Sequence, residues 1–121
     1  MIVDSNIIIY AAQPDYPQLR RLIAEHSPSV SAMSVVEVLG YHRLTDADRL
    51  HFEAFFAAAD VLPISHVTIS QAVWLRQQKK MSLGDALIAA TALTYGHTLA
   101  TRNTKDFNWI AGLRLLDPFA S

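Results

Sequence analysis

Residues 82–106, SLGDALIAATALTYGHTLATRNTKD, hold the pattern that decides the fold. Residues 82–95 are predicted to form a helix that Gly96 ends, and the apolar run 98–101 is predicted to form a strand. A further short helix is expected over residues 104–110. Helices that alternate with strands act as right-handed crossovers between parallel strands. The stretch therefore predicts an α/β fold with a parallel sheet covered by helices on both faces.

The rest of the chain continues this alternation. Ile2-Val3 is a short apolar run, and residues 7–10 either continue that strand or begin a helix, because short β-branched runs fit both. The other predicted helices cover residues 17–26, 34–44, 45–60 and 68–80, and the other predicted strands cover residues 29–32, 61–64 and 113–116. On the 68–80 helix, the side chains expected to face inward are those of Ile69, Ala72, Val73 and Leu75.

Length and composition limit the classes of protein to consider. With 121 residues, 51% of them hydrophobic and 17% charged, the chain is expected to form a single domain over residues 1–121. Its lack of cysteine excludes disulfides, thiolate zinc sites and a cysteine nucleophile. A net charge of −1 creates no overall field that attracts nucleic acid. No apolar run reaches the ~20 residues of a membrane helix, and no basic residue precedes Arg20, so we expect a cytoplasmic protein that does not contact a membrane.

Four carboxylates stand where predicted strands pass into helices: Asp4, Glu37, Asp85 and Asp106. Ligands of an open α/β sheet bind outside the carboxyl ends of its strands, so these acids can share one edge. Glu37 and Asp85 are expected early in their helices, where the positive end of the helix dipole offsets part of the negative charge. Gathered carboxylates repel one another unless a cation joins them. The pattern indicates metal-dependent phosphoryl chemistry.

The same acids also fit a purely structural role. Three of them stand at or near capping-box spacing: Ser34-x-x-Glu37, Ser82-x-x-Asp85 and Asn103-x-x-Asp106. Asp4, which is followed by Ser5 and Asn6, could accept hydrogen bonds in an Asx-turn. Spacing alone leaves both the metal site and the helix caps open.

Four segments carry a resemblance to a known family: MIVDSNIIIYAA (1–12), SVVEVLGY (34–41), MSLGDALIAATALTYG (81–96) and LATRNTKDFNWIAGLRLLDPF (99–119). They resemble the four ordered acidic blocks of the PIN-domain family and, in size and spacing, the VapC-type toxin ribonucleases of toxin–antitoxin pairs. The resemblance implies a Rossmann-like PIN fold with a central parallel sheet of about four or five strands. It also implies an endoribonuclease with a Mg²⁺ or Mn²⁺ site, RNA as substrate and a cognate antitoxin as inhibitor.

Carried over by position, the resemblance makes Asp4, Glu37 and Asp85 the three core acids. The fourth place falls on Asp106, with Asn103 as a further candidate ligand. Asp4, Asp85 and Asp106 are expected to hold the metal, and Glu37 to join them directly or through water. Ligation lowers the pKa of water and offsets charge on the phosphate, so this chemistry requires no histidine base.

Two residues beside Asp4 are candidates for a supporting role. Ser5 stands where the family usually has Thr, a change that keeps the hydroxyl, and Asn6 follows it. We expect the Ser5 hydroxyl to bond Asp4 or a phosphate. Gly84, beside Asp85, lowers helix propensity by about 1 kcal/mol relative to Ala and would permit a close approach of backbone or substrate.

Basic and aromatic residues suggest where partners bind. Arg102 and Lys105 flank the fourth acidic block and are expected to position RNA phosphates, whereas Arg76, Lys79 and Lys80 fit a solvated helix face equally well. The helix with Phe52, Phe55 and Phe56 could pack in the core, form a groove for a partner segment or form a homodimer seam, and we expect a homodimer.

Two alternatives to the toxin ribonuclease remain open on sequence grounds. One is a PIN nuclease of RNA processing that has no antitoxin. The other is a non-catalytic PIN-like binding module in which the acids only cap helices.

Overall fold

A computed structural model describes residues 1–120 and contains five short strands and seven helices within that range. In chain order the elements are β1 (Ile2–Val3), α1 (Ser5–Ala11), α2 (Pro17–His26), β2 (Val30–Ser31), α3 (Ala32–Leu39), α4 (Asp46–Ala58), β3 (Val61–Leu62), α5 (His66–Gln78), α6 (Leu83–Tyr95), β4 (Leu99–Ala100), α7 (Thr104–Phe107) and β5 (Leu115–Leu116). None of these helices is long and apolar enough to cross a membrane. The predicted alternation of strands and helices is confirmed.

All strand pairs are parallel. β1 pairs with β4, which pairs with β5, while β2 and β3 form a second pair. A bridge between Ile2 and Ser29 joins the two sets, and the Val3 amide donates to the Ser29 carbonyl at 3.2 Å. The strand order across the molecule is therefore β3-β2-β1-β4-β5, which confirms the parallel sheet of four or five strands.

Helices cover both faces of this sheet. One buried cluster places Ile2 and Leu99 of the sheet against α5, α6 and α7. The other places Val3, Val30 and Ala100 against α1, α2, α3 and α4. Phe52 and Phe56 of α4 belong to the second cluster and are 5% and 8% exposed, so two of the three phenylalanines are core residues.

Residues 7–10, for which the sequence left strand and helix open, are helical because Asp4 caps α1. Two sequence predictions differ from the structure. α3 begins at Ala32 after the cap Ser31 and ends at Leu39, so it is shorter than predicted. The prediction that Ile69 and Val73 face inward is wrong, since they are 47% and 52% exposed, whereas Ala72 and Leu75 are buried as predicted. α5 packs along only one narrow side against α6, and its other apolar residues face outward.

Candidate active site

Asp4 lies at the carboxyl end of β1, at the edge where β4 also ends. Its amide donates to the Ala100 carbonyl at 3.1 Å, and its Oδ1 accepts from the Ile7 amide at 2.9 Å as the cap of α1. The residue is only 6% exposed. Burial raises the pKa of Asp4 and Glu37 adds to the rise, while hydrogen bonds to Thr101 and Ile7 lower it in part. Asp4 is thus a cap, and also a buried carboxylate close to a second one.

Two serines support the Glu37 carboxylate, Ser5 directly and Ser34 through its contact with Ser5. The Ser5 hydroxyl donates to Glu37 Oε1 at 2.8 Å and lies 2.9 Å from the hydroxyl of the fully buried Ser34. The sequence prediction that Ser5 bonds Asp4 or a phosphate differs from this arrangement, because the hydroxyl points toward α3. Ser5 is therefore a neighbour of Glu37.

Gly84 lets the Glu37 carboxylate reach the start of α6. A Cβ atom built on Gly84 would lie within van der Waals overlap of Glu37 Oε2 and 2.9 Å from Glu37 Cδ. Any side chain at residue 84 would therefore push the Glu37 carboxylate away from Asp85. The sequence suggested that backbone or substrate would come close to Gly84, and in the structure the Glu37 side chain occupies that space.

Asp85 occupies the first turn of α6. Its amide donates to the hydroxyl of the cap residue Ser82 at 3.1 Å, which confirms the predicted cap at Ser82. Burial raises the pKa of Asp85, its hydrogen bond to Ser82 lowers it, and the charges of Asp106, Glu37 and Asp4 raise it further. The charges of the other three predicted acids therefore all act on Asp85.

Asp106 shares an open cleft of about 230 Å³ with Asp85 and Lys105. It lies in the first turn of α7, and its amide donates to the Asn103 carbonyl at 3.0 Å. Asn103 occupies the predicted cap position of α7, but its side chain makes no capping hydrogen bond. The backbone amide of Asn103 donates to Thr101 Oγ1 at 3.1 Å, and the Asn103 side chain is exposed.

The capping interpretation fails for Glu37. Ser34 lies inside α3 and is not its cap, so Glu37 stands well beyond the first turn. The expectation that Glu37 lies early in its helix is wrong for the same reason. Asp4 and Asp85 do sit at helix starts, where the helix dipole favours negative charge, but the local need of a helix does not explain why Glu37 is turned toward them.

In the part of the chain that the structure describes, none of these four carboxylates forms a salt bridge. Within residues 1–120, the only salt bridges are those of Arg49 with Asp46 and Glu53 on α4. No three acidic or histidine side chains in that range converge closely enough to enclose a metal ion as they stand. The donors are all hard oxygens, the kind that Mg²⁺ and Mn²⁺ prefer. The acids form one negatively charged neighbourhood whose donor type suits such an ion, although in this arrangement no three of them are close enough to hold it.

The other predicted residues lie around this neighbourhood. The Arg102 guanidinium stacks on Phe119, 4.3 Å from the ring centroid, and lies 5.6 Å from the centroid of the Tyr10 ring. Lys105 lines the cleft with Asp85 and Asp106. Asn6 is exposed in the first turn of α1, and its backbone amide contributes a hydrogen bond to Asp4.

Sequence reasoning missed two supporting residues. Thr101 is fully buried and lowers the pKa of Asp4, and Ser34 is fully buried beside Ser5. Thr101 could have been found, since it follows a strand that neighbours β1. Ser34 could not, because its spacing to Glu37 fits a cap equally well.

Comparisons with known proteins agree with this architecture. Residues 1–113 match the family model for the PIN domain. The chain is 49% identical over 41 residues to Ribonuclease VapC1 of Rickettsia felis, a match that covers 34% of this chain and 31% of that relative. The chain therefore spans under a third of the length of the curated relative it matches.

Solved structures share the whole fold. A chain of a toxin–antitoxin complex from Klebsiella pneumoniae is 26% identical, with a TM-score of 0.79 and coverage of 99% of this chain and 98% of that one. A chain of DNA-bound VapBC from Salmonella typhimurium is 18% identical, with a TM-score of 0.85 and coverage of 97% and 96%. The second similarity is one of fold alone.

Proposed function

The chain belongs to the PIN domain family, and from this premise we propose that it is a metal-dependent endoribonuclease, the toxin of a toxin–antitoxin pair. The proposal is carried by the proximity of four acids: Glu37 lies against Gly84, next to Asp85, Asp85 and Asp106 share a cleft, and the charges of Asp4, Glu37 and Asp106 all act on Asp85. None of the four forms a salt bridge within residues 1–120. We further propose that residues 1–121 act as one domain in the cytoplasm.

Each acid has a proposed role. Asp4, Asp85 and Asp106 would hold Mg²⁺ or Mn²⁺, and Glu37, fixed by Ser5, would complete the oxygen ligands directly or through water. The bound ion would lower the pKa of water and offset the charge that develops on the phosphate. Water then adds to phosphorus, the bond to the 3′ oxygen breaks, and the products carry 5′-phosphate and 3′-hydroxyl ends.

The relatives support both halves of the proposal. The Rickettsia felis relative is named a ribonuclease, and the Klebsiella pneumoniae chain comes from a toxin–antitoxin complex.

A groove of about 360 Å³ beside Glu37 is a suitable place for an antitoxin segment, because its wall includes the exposed side chains of Ile9 and Tyr41 together with Leu44 and Val38. A segment bound there would cover the approach to Glu37.

A homodimer is also part of the proposal. Phe52 and Phe56 of the predicted seam on α4 are buried in the core. We therefore propose that the dimer contact lies on the outward side of α5 and α6. Ile69, Val73 and Leu83 are 47%, 52% and 55% exposed there and line a shallow cleft of about 330 Å³. A second copy would cover these apolar side chains.

The proposal is tested by incubating purified protein with tRNA, rRNA and mRNA fragments in Mg²⁺ or Mn²⁺ and sequencing the product ends. We expect cleavage that EDTA stops and that Asp85→Asn reduces more than about 100-fold, because loss of even an indirect metal contact costs 10- to 100-fold. Asp46→Asn is the matched control, since Asp46 is an exposed acid in the first turn of α4.

The outcomes separate the candidate functions. Cleavage that persists in EDTA or in Asp85→Asn contradicts the metal site. Absence of both cleavage and Mn²⁺-induced stabilisation favours the binding module, which the observed cap at Asp4 and the place of Asp85 in the first turn of α6 allow. Metal-dependent cleavage by a protein whose gene has no adjoining antitoxin favours the RNA-processing nuclease.

A further inference from the structure

A cleft beside the acids also contains lysine and tryptophan side chains. It is lined by Lys79 and Lys80 from the end of α5, by Lys105 and Trp109 near α7, and by Asp85 and Asp106 on the side of the candidate metal site. Its volume is about 230 Å³, which is enough for part of a nucleotide.

The three lysines are free to bind an anion. Lys79, Lys80 and Lys105 are exposed, and none takes part in a salt bridge within residues 1–120. Two carboxylates line the same cleft, yet the ammonium groups do not pair with them at salt-bridge distance. Cations that line a cleft without a partner attract phosphate.

Trp109 presents a fixed ring to the same space. Its Nε1 donates to the Asp106 carbonyl at 2.9 Å, which holds the indole plane and uses its one hydrogen-bond donor. The ring is partly buried at the margin of the core, and Lys79 Nζ lies 5.7 Å from its centroid. A ligand can therefore meet only the π face of the ring, and because Lys79 lies over the ring, its side chain must turn aside, toward the phosphate, for a base to stack there.

On the basis of the proposed function, we propose that this cleft binds the nucleotide next to the scissile phosphate of a single-stranded RNA. The base stacks on Trp109, and Lys79, Lys80 and Lys105 contact the phosphate. Because the indole N–H is already engaged, the ring offers stacking alone, which tolerates any base. The cleft then positions RNA without selecting its sequence.

An acidic protein segment fits the cleft less well. Its carboxylates would meet the lysines but would also approach Asp85 and Asp106, and they would leave the Trp109 ring without a partner. A nucleotide satisfies both the ring and the lysines, and its phosphate approaches the acids in the direction of the proposed metal site.

The test measures binding without catalysis. In EDTA and low salt, Trp74→Phe leaves Trp109 as the only tryptophan, and we expect six-residue oligoadenylate and oligouridylate to quench its fluorescence saturably. Trp109→Phe, which leaves the exposed Trp74 of α5, should show no quenching.

Affinity for the same oligonucleotides, measured by anisotropy of a labelled RNA, should fall at least tenfold in Trp109→Leu, because base stacking on an aromatic ring contributes about 5- to 100-fold. Lys105→Glu should weaken binding by a similar factor and flatten its salt dependence. Arg21→Glu makes the same charge change on exposed α2, across the sheet, and should have a much smaller effect. Since Lys105 is exposed, its variant gives a result even if Trp109→Leu does not fold.

Several results would overturn the cleft as a nucleotide site: no quenching in Trp74→Phe, equal losses in Lys105→Glu and Arg21→Glu, or tighter binding of an acidic peptide than of RNA. The proposed nuclease function fails separately, by absence of metal-dependent cleavage. Saturable quenching without cleavage would retain the cleft and reject the nuclease. Cleavage without quenching would do the reverse.

Discussion

At the scale of single residues, Asp4 is held in an unfavourable state. Its carboxylate is buried next to Glu37, and burial raises its pKa above the ordinary value of 3.8. In the metal-free protein this charge opposes folding at neutral pH. The same charge would favour a bound divalent ion, so the stability lost without metal is linked to binding.

The sign of the pH dependence follows from this linkage. The pKa values of both Asp4 and Asp85 are raised in the folded state, so the folded protein holds more protons than the unfolded chain just above pH 3.8. The metal-free protein is therefore expected to lose stability as the pH rises from 3.8 through the raised pKa values and to remain less stable at pH 7. Thermal unfolding in EDTA across this range measures the effect, and Mn²⁺ should restore stability at pH 7.

Asp4→Asn separates the charge from the cap and is the control for that experiment. Asn caps a helix as well as Asp, and its oxygen can still accept from the Ile7 amide. The variant should be at least as stable as the parent at pH 7 in EDTA, with a weaker pH dependence and little gain from Mn²⁺. A variant with the parent's full pH dependence and Mn²⁺ response would contradict this account of Asp4.

At the scale of elements, α6 starts where Glu37 needs space. Gly84→Ala would add a methyl group against the end of the flexible Glu37 side chain, which must turn away and lose its 2.8 Å bond from Ser5. The same change gains up to about 1 kcal/mol of helix propensity. We expect RNA cleavage to fall roughly tenfold or more while the free energy of unfolding stays level or rises, measured by urea titration beside the cleavage assay.

Gly96→Ala at the other end of α6 is the reciprocal control. Gly96 has a φ of 69°, a left-handed conformation that alanine adopts at a cost of about 1 kcal/mol, and nothing lies within 4 Å of its added Cβ. This variant should lose stability and keep its cleavage rate. Equal effects of the two glycine variants on cleavage would mean that Gly84 does not position Glu37.

Elements with a local signal were predictable from the sequence. Ser82 and Gly96 mark both ends of α6, and Thr45 caps α4 as its sequence suggests. The start of α3 was missed because Ser31 and Ser34 offer similar caps; in the structure Ser31 accepts from the Met33 amide, whereas Ser34 meets Ser5. The facing of α5 was missed because its apolar side chains spread around the helix, so periodicity did not identify the packed side.

At the scale of the whole molecule, the site is an outcome of strand order. Asp4 follows β1 and Thr101 follows β4, which are neighbours although almost a hundred residues separate them. Residue types predicted the four acids and the edge they share, because carboxyl ends of parallel strands meet there. Hydrogen bonds between elements, such as Ser5 to Glu37, could not be predicted, since they depend on how α1 and α3 are packed.

The outward side of α5 and α6 provides the last prediction, which concerns assembly. Val73→Glu places a charge between the apolar side chains of Ile69 and Leu83, where a second copy would remove it from water. Because Val73 is 52% exposed, the folded monomer should tolerate the change. We expect the dissociation constant of the dimer to rise at least about 30-fold, which corresponds to ~2 kcal/mol at a central contact.

Light scattering coupled to size-exclusion chromatography across a dilution series measures this shift. Leu50→Glu is the matched control, because Leu50 is 62% exposed on α4, in the helix layer on the other face of the sheet. Val73→Glu should be monomeric at concentrations where the parent and Leu50→Glu are dimeric, and it should keep its Mn²⁺-induced stabilisation, since Val73 does not line the acid cleft. A monomeric parent, or a Val73→Glu dimer as stable as the parent's, would remove this face of α5 and α6 from the assembly and leave its apolar side chains for another partner.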